Sequence, residues 1–129
     1  MAFTLSTRVR DAMCDAGVDE IDVGAGSNGT LEIGTSGMAG VIVALPYSAT
    51  AFGASSSGVA TAATITATAA TLAGTNTAAE AQIKDADGTV VMSGLTVGTS
   101  GSDINLSNTS IELGMTIDIT SQTMTMPAS

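Results

Sequence analysis

Two short runs of carboxylates could do chemistry in this sequence. The first, Asp85-x-Asp87-Gly88, resembles the opening of a calcium loop. An EF-hand needs glycine at its sixth position and glutamate at its twelfth, where this chain has Val90 and Thr96, so the match fails. The second, Asp19-Glu20-x-Asp22, would put Asp19 and Asp22 on one face of a helix, which reads as a solvated acidic face. There is no histidine, which removes Ser-His-Asp and Cys-His machinery and the commonest metal ligand and proton shuttle. A Ser–Lys dyad would need Lys84, the only lysine, and its neighbour Asp85 predicts an ion pair instead. The lone Cys14 can form no intramolecular disulfide and reads as a small buried hydrophobe. Paired carboxylates could hydrolyse a glycoside, but sugar sites lean on aromatic platforms, and only Phe3, Tyr47 and Phe52 are aromatic. These observations predict a protein that is not an enzyme, with no cofactor and no metal.

The glycines of "VMSGLTVGTSGSDINL" (91–106) raise a second possibility, a backbone cradle for phosphate. A P-loop needs G-K-[ST], and the stretch has no lysine. A dinucleotide fingerprint needs a helix to open within it, whereas "SDINLS" alternates like a strand. The expectation is two turns joining three strands.

Composition narrows the partners. The chain has 129 residues, enough for one domain, 1–129. Of these, 21 are Ala and 20 are Thr, so the expected core is a thin one of Ile, Val, Leu and Met, and help from an oligomer is plausible. With 12 acids against 3 bases the net charge is −9, too few cations to displace the counterions of a nucleic acid. The run "MAGVIVAL" (38–45) is too short to span a bilayer, and "MAFTLSTRVRDAM" has no apolar signal region. Synthesis in the cytoplasm is expected, with neither nucleic acid nor membrane as a partner.

Periodicity places the elements. Residues 4–22 read as a helix with Leu5, Val9, Met13 and Ala16 along one stripe, extended by Ile21, and with Thr4 or Ser6 as cap. Gly17 either ends this helix or sits inside it. From Thr30 the period becomes two. Strands are predicted at 30–33, 40–45 and 59–70, the last with Val59, Ala63, Ile65 and Ala67 on one side. Asp87-Gly88 marks a hairpin within 79–94, and further strands follow at 102–107, 110–114 and 115–127, with a bulge or bend near Ser121. No charge occurs from Ile33 to Ala79, so the Thr/Ala strand must be paired internally or covered by another subunit. The fold class is mainly β: an antiparallel sandwich or jelly-roll-like domain over 30–127 of about seven short strands, behind one N-terminal helix.

The whole pattern resembles a family of small virion structural proteins of tailed bacteriophages. "AMCDAGVDEIDVGAGSNGTLEIGTSG" looks like that family's helix, glycine-rich turn and first strand, and "AFGASSSGVATAATI" is similar to its central segment. The similarity is strongest in "IKDADGTVVMSGLTVGTSGSDINLSNTSIELGMTIDITSQTMTMP", above all "VGTSGSDINL" and "ITSQTMTMP". The resemblance implies a non-enzymatic particle component, foremost a capsid decoration (cement) protein. Such a protein would sit as a homo-oligomer, a trimer, on the capsid surface of the virion and clamp the major capsid protein. A tail, baseplate or fibre-attachment component is the alternative, and a receptor- or carbohydrate-binding module a further one. Phe3 lies outside the helix stripe, so Met1, Ala2, Phe3 and Thr4, with one edge of the sandwich, are the expected shell contacts.

Overall fold

The computed structural model describes residues 3–25, 28–119 and 121–126. The chain is mainly β, sandwich-like, behind one N-terminal helix. Helix α1 spans Thr7–Asp19 and continues as a single 3-10 turn, Glu20–Asp22. Ser6 caps it, its side chain accepting from Val9 N at 3.3 Å, and Gly17 lies within it. Strands β1 (Thr30–Gly34), β2 (Val41–Pro46), β6 (Glu80–Lys84), β7 (Val90–Gly98) and β8 (Ile104–Asn105) form one sheet in the order β2-β1-β6-β7-β8. Strands β3 (Val59–Thr61), β4 (Thr68–Ala69), β5 (Thr75–Thr77), β9 (Ser110–Glu112), β10 (Thr116–Ile117) and β11 (Thr123–Thr125) pair two by two.

Those three pairs are stretches of one irregular ribbon. Thr61 faces Thr123, Thr68 faces Ile117 and Thr75 faces Glu112, all antiparallel, so residues 59–77 run against 110–125. The uncharged Thr/Ala segment is therefore paired within the chain. The expected continuous strand over 59–70 is interrupted because its middle changes partner. Ala63 N bonds Ala51 O, Thr66 N bonds Pro46 O and Ser48 Oγ bonds Thr64 O. Ala60, Ile65 and Ala70 point inward as a result, while Ala63 and Ala67 are exposed. Ser121, the place of the expected bulge or bend, lies between β10 and β11. This fragmentation gives eleven described strands where the sequence pattern suggests about seven.

The core is aliphatic and centred on β1, β2 and β6. Leu31, Ile33, Ile42, Val43, Leu45 and Ile83 have no exposed surface. Alternation in β1 and β6 turns Leu31, Ile33 and Ile83 inward and Glu32, Gln82 and Lys84 outward. Each fully buried Leu or Ile contributes about 1.5–3 kcal/mol. Tyr47 and Phe52 close one end of the core, their rings tilted with centroids 5.7 Å apart. No helix among the described residues is long and apolar enough to cross a membrane.

Two further sequence expectations change. The stripe of Leu5, Val9, Met13 and Ala16 is not the buried face of α1: Cys14, Val18 and Ile21 are buried, whereas Val9 and Met13 are 40% and 43% exposed. The reason lies in the partner of the helix, taken up below. The opening glycines also act differently. Val90–Gly98 is one strand, so Gly94 is not a turn between strands. Ala81 faces Leu95 but Ile83 faces Met92, which leaves one extra residue in β7. Gly94, at φ +75, sits in this bulge in a left-handed conformation that glycine adopts without strain. The turn at 99–103 is as expected, but it leads into β8 parallel to β7, with Val97 opposite Ile104. Asp103 fixes this tight return: its Oδ2 accepts from Thr96 N at 2.9 Å and Thr96 Oγ1 at 3.1 Å, and its N–H donates to Thr96 Oγ1.

Gly29 is where the helix end, β1 and the β6–β7 hairpin meet. A Cβ there would lie 2.6 Å from Ile21 Cγ2, 2.7 Å from Ile21 O and 2.9 Å from Lys84 O, and backbone carbonyls cannot swing away. Gly29→Ala is expected to destabilise the fold by about 2 kcal/mol or more through overpacking. Urea unfolding should show a lowered midpoint with an unchanged slope.

Candidate functional site

The carboxylates with the clearest geometry face the helix's own neighbour, the segment 51–58. That segment is largely irregular, and its amides need acceptors. Asp11 Oδ1 accepts from Gly58 N at 2.6 Å, Asp15 Oδ1 from Ser55 N at 2.7 Å and Asp22 Oδ1 from Ala51 N at 2.9 Å. Ser55 Oγ donates back to Asp11 O at 2.9 Å. On the same side of α1, Arg10 Nε donates to Met126 O at 3.2 Å and Cys14 Sγ to Met124 O at 3.4 Å. These bonds rotate α1 so that its polar edge, together with Cys14 and Val18, faces the protein. Asp19 and Glu20 remain exposed as the acidic face expected from the sequence, but Asp22 is drawn into the dock.

The Asp85-x-Asp87 pair is likewise structural. Asp85, 9% exposed, accepts at Oδ1 from Asp87 N at 3.0 Å and Thr89 N at 2.9 Å, which closes the β6–β7 hairpin. Asp87 Oδ1 accepts from Ala25 N at 3.2 Å and ties the hairpin to the loop after the helix. Lys84 does not pair with Asp85. Its Nζ lies 3.2 Å from Glu32 Oε2 on the adjacent strand, because Asp85 is turned into the hairpin. Glu32 Oε1 also accepts from Gln82 Nε2 at 2.7 Å. Cys14 is fully buried, as expected. Burial raises its thiol pKa, opposed by a backbone hydrogen bond at Ala60 and reinforced by the Asp15 and Asp11 carboxylates.

An open cleft of about 490 Å³ lies between the turn after β7 and the segment joining β10 to β11. Asp103, Asn105, Asp118, Ser121 and Gln122 line it. Its chemistry is that of a polar surface: hydroxyls, amides and two separate carboxylates, one of them already holding Thr96. No three His, Cys, Asp or Glu side chains converge as a metal site among the described residues. Gln122 is buried at the cleft floor, where its Oε1 accepts from Tyr47 Oη at 2.8 Å. Periodicity did not single out Gln122. The parity change between Ile119 and Met124 was the signal, since it turns residue 122 inward.

Of the expected shell contacts, Phe3 and Thr4 precede α1 in irregular chain and are exposed, Phe3 by 61%. Met1 and Ala2 lie outside the described residues.

Two tests follow from this geometry. Asp15→Ala leaves the Ser55 amide without its acceptor and is expected to cost about 1–3 kcal/mol, while Asp15→Asn, which keeps an acceptor oxygen, costs less and the exposed Asp19→Ala stays within about 0.5 kcal/mol. Denaturant titration of the three variants should rank them in that order. Burial also pushes the Tyr47 phenol well above its ordinary value of 10.0. Because the folded pKa exceeds the unfolded one, the folded state holds the proton longer. Its contribution is fully present below about pH 10 and is lost as pH rises toward the folded value. Tyr47→Phe is therefore expected to lower stability at neutral pH by about 1–3 kcal/mol, since Gln122 loses its partner, and to flatten the alkaline decline above about pH 10. Thermal melts from neutral pH to pH 11 read both effects. Compared with known protein families, curated proteins and solved structures, the chain matches none.

Proposed function

We propose that the protein is a non-enzymatic structural component of a tailed-bacteriophage virion, a capsid decoration protein. In this reading it binds the outer face of the assembled major capsid shell as a homo-oligomer, a trimer, and stabilises that shell by mass action. The observation that carries the reading is the use made of the carboxylates. Asp11, Asp15, Asp22, Asp85, Asp87 and Asp103 each accept from a backbone amide of the chain itself. A site for catalysis keeps such groups aimed at a substrate, whereas here they lock a loop to the helix, close a hairpin, tie it to the loop after the helix and fold β8 back beside β7. The family resemblance along the chain supports the same reading. So does the net charge of −9, which suits the outside of a shell better than the face against packaged nucleic acid.

The exposed Phe3 ring supports a contact by residues 1–4. The five-stranded sheet offers a second surface. Its β2 edge is stitched to Thr71, whose N–H donates to Ile42 O, and β8 is its other edge.

Purified protein added to expanded shells that lack it is expected to bind saturably, at a stoichiometry comparable to the major capsid protein, and to raise the shell's melting temperature. Deleting residues 1–4 should reduce occupancy. A few copies per particle by virion mass spectrometry would favour a tail or baseplate role and overturn decoration. Useful affinity on a glycan array, without shell binding, would favour a receptor-binding module.

A further inference from the structure

The solvent face of α1 is the stripe that its sequence pattern would bury. Val9, Ala12, Met13 and Ala16 are exposed along it, with half-buried Leu5 just ahead of the helix. The positions recur in steps of three and four and so form one continuous apolar face. Its ends are charged. Arg8 stands at the N-terminal end, Asp19 and Glu20 at the C-terminal end, and all three are exposed. At 100° per residue, Arg8 and Asp19 lie within about 20° of each other on the same flank of the helix. Arg10 is bonded to Met126 O and Lys84 to Glu32, so among the described residues Arg8 is the base without a bond.

We propose that this face is a two-fold interface with a second copy of the chain, in which the two α1 helices pack antiparallel. Charge complementarity selects both the partner and the direction. A two-fold axis perpendicular to the helices keeps like flanks on one side while reversing the ends, so Arg8 comes opposite Asp19 of the partner subunit, and the reverse. A parallel pair would put both Arg8 side chains at one end and the acids at the other, with no opposite charge within reach of either. Antiparallel packing also opposes the two helix dipoles favourably. Ala12 and Ala16 let the helix axes approach, and the flexible Met13 fills the space between them. The 13 residues of α1 extend about 20 Å, so the contact is at the small end of specific interfaces and the expected association is weak, about micromolar. The contact stands apart from the decoration reading. It would join copies or trimers in pairs, and either proposal can fail without the other.

The test is sedimentation velocity of the full chain over a range of concentrations. A monomer–dimer equilibrium is expected, weakened about tenfold or more by Met13→Glu. Because Met13 is on the surface of the single chain, the thermal melt of that variant should be unchanged at low concentration. Arg8→Glu should weaken the dimer, as should the pair Asp19→Arg with Glu20→Arg, and the three changes in one chain should restore it. Ala12→Cys, near the two-fold axis, is expected to cross-link to itself, and Asp19→Cys is not. A monomer at every concentration, a dimer indifferent to Met13→Glu, no restoration by the charge swap, or self-cross-linking at both cysteine positions would each overturn the proposal.

Discussion

The rest of the structure depends on a row of helix carboxylates meeting a row of loop amides. Within 51–58, Gly53 and Ser56 donate to the backbone carbonyls of Thr61 and Val59, whereas the amides of Ala51, Ser55 and Gly58 find their acceptors across the gap in Asp22, Asp15 and Asp11. An unpaired buried amide costs about 1–3 kcal/mol, so this row outweighs the modest gain from burying Val9 or Met13. It sets the rotation of α1, which in turn carries Cys14 and Arg10 onto the carbonyls of Met124 and Met126. The helix is thus a clasp between the loop at 51–58 and the last described strand of the ribbon. Hydrogen bonds orient it, and its remaining apolar face is left to the solvent.

The same logic runs through the acidic residues elsewhere. In a chain with three bases, carboxylates cannot be neutralised mainly by ion pairs. Backbone amides are the available donors, and charge-assisted bonds to them are among the stronger hydrogen bonds in proteins. Asp85 closes a hairpin, Asp87 anchors it to the loop after the helix, and Asp103 folds β8 back beside β7. An acidic surface and a well-tied set of loops therefore come from the same residues.

Much of the fold was legible in the sequence because burial and alternation coincide there. Leu31 and Ile33, Ile104 and Leu106, and Ile117 and Ile119 all point inward as their period-two spacing requires. Asp87-Gly88 marked a true hairpin, and Ser6 a true cap. What failed was every inference in which polar bonding competed with apolar pattern. The stripe from Leu5 to Ala16 pointed the wrong way because the amides of 51–58, distant in sequence, decided the helix's rotation. The strand over 59–70 broke because residues 63–66 found donors and acceptors at 46–51. The Gln122–Tyr47 bond at the cleft floor was invisible because it joins residues that lie 75 positions apart. Long-range polar partners leave no periodic trace.

The ribbon has a consequence for how the chain acquires its structure. Residues 59–77 pair with 110–125, and the whole β6–β7 hairpin lies in the chain between them. The hairpin is local and can form early, but the ribbon must wait for a long loop to close and for most of the chain to be synthesised. During that interval an uncharged Thr/Ala segment has no partner, the condition in which strands associate between chains. The charges that flank it are almost all negative and keep unfinished chains apart. Acidity therefore acts before the fold exists, as protection for the longest segment that carries no charge of its own.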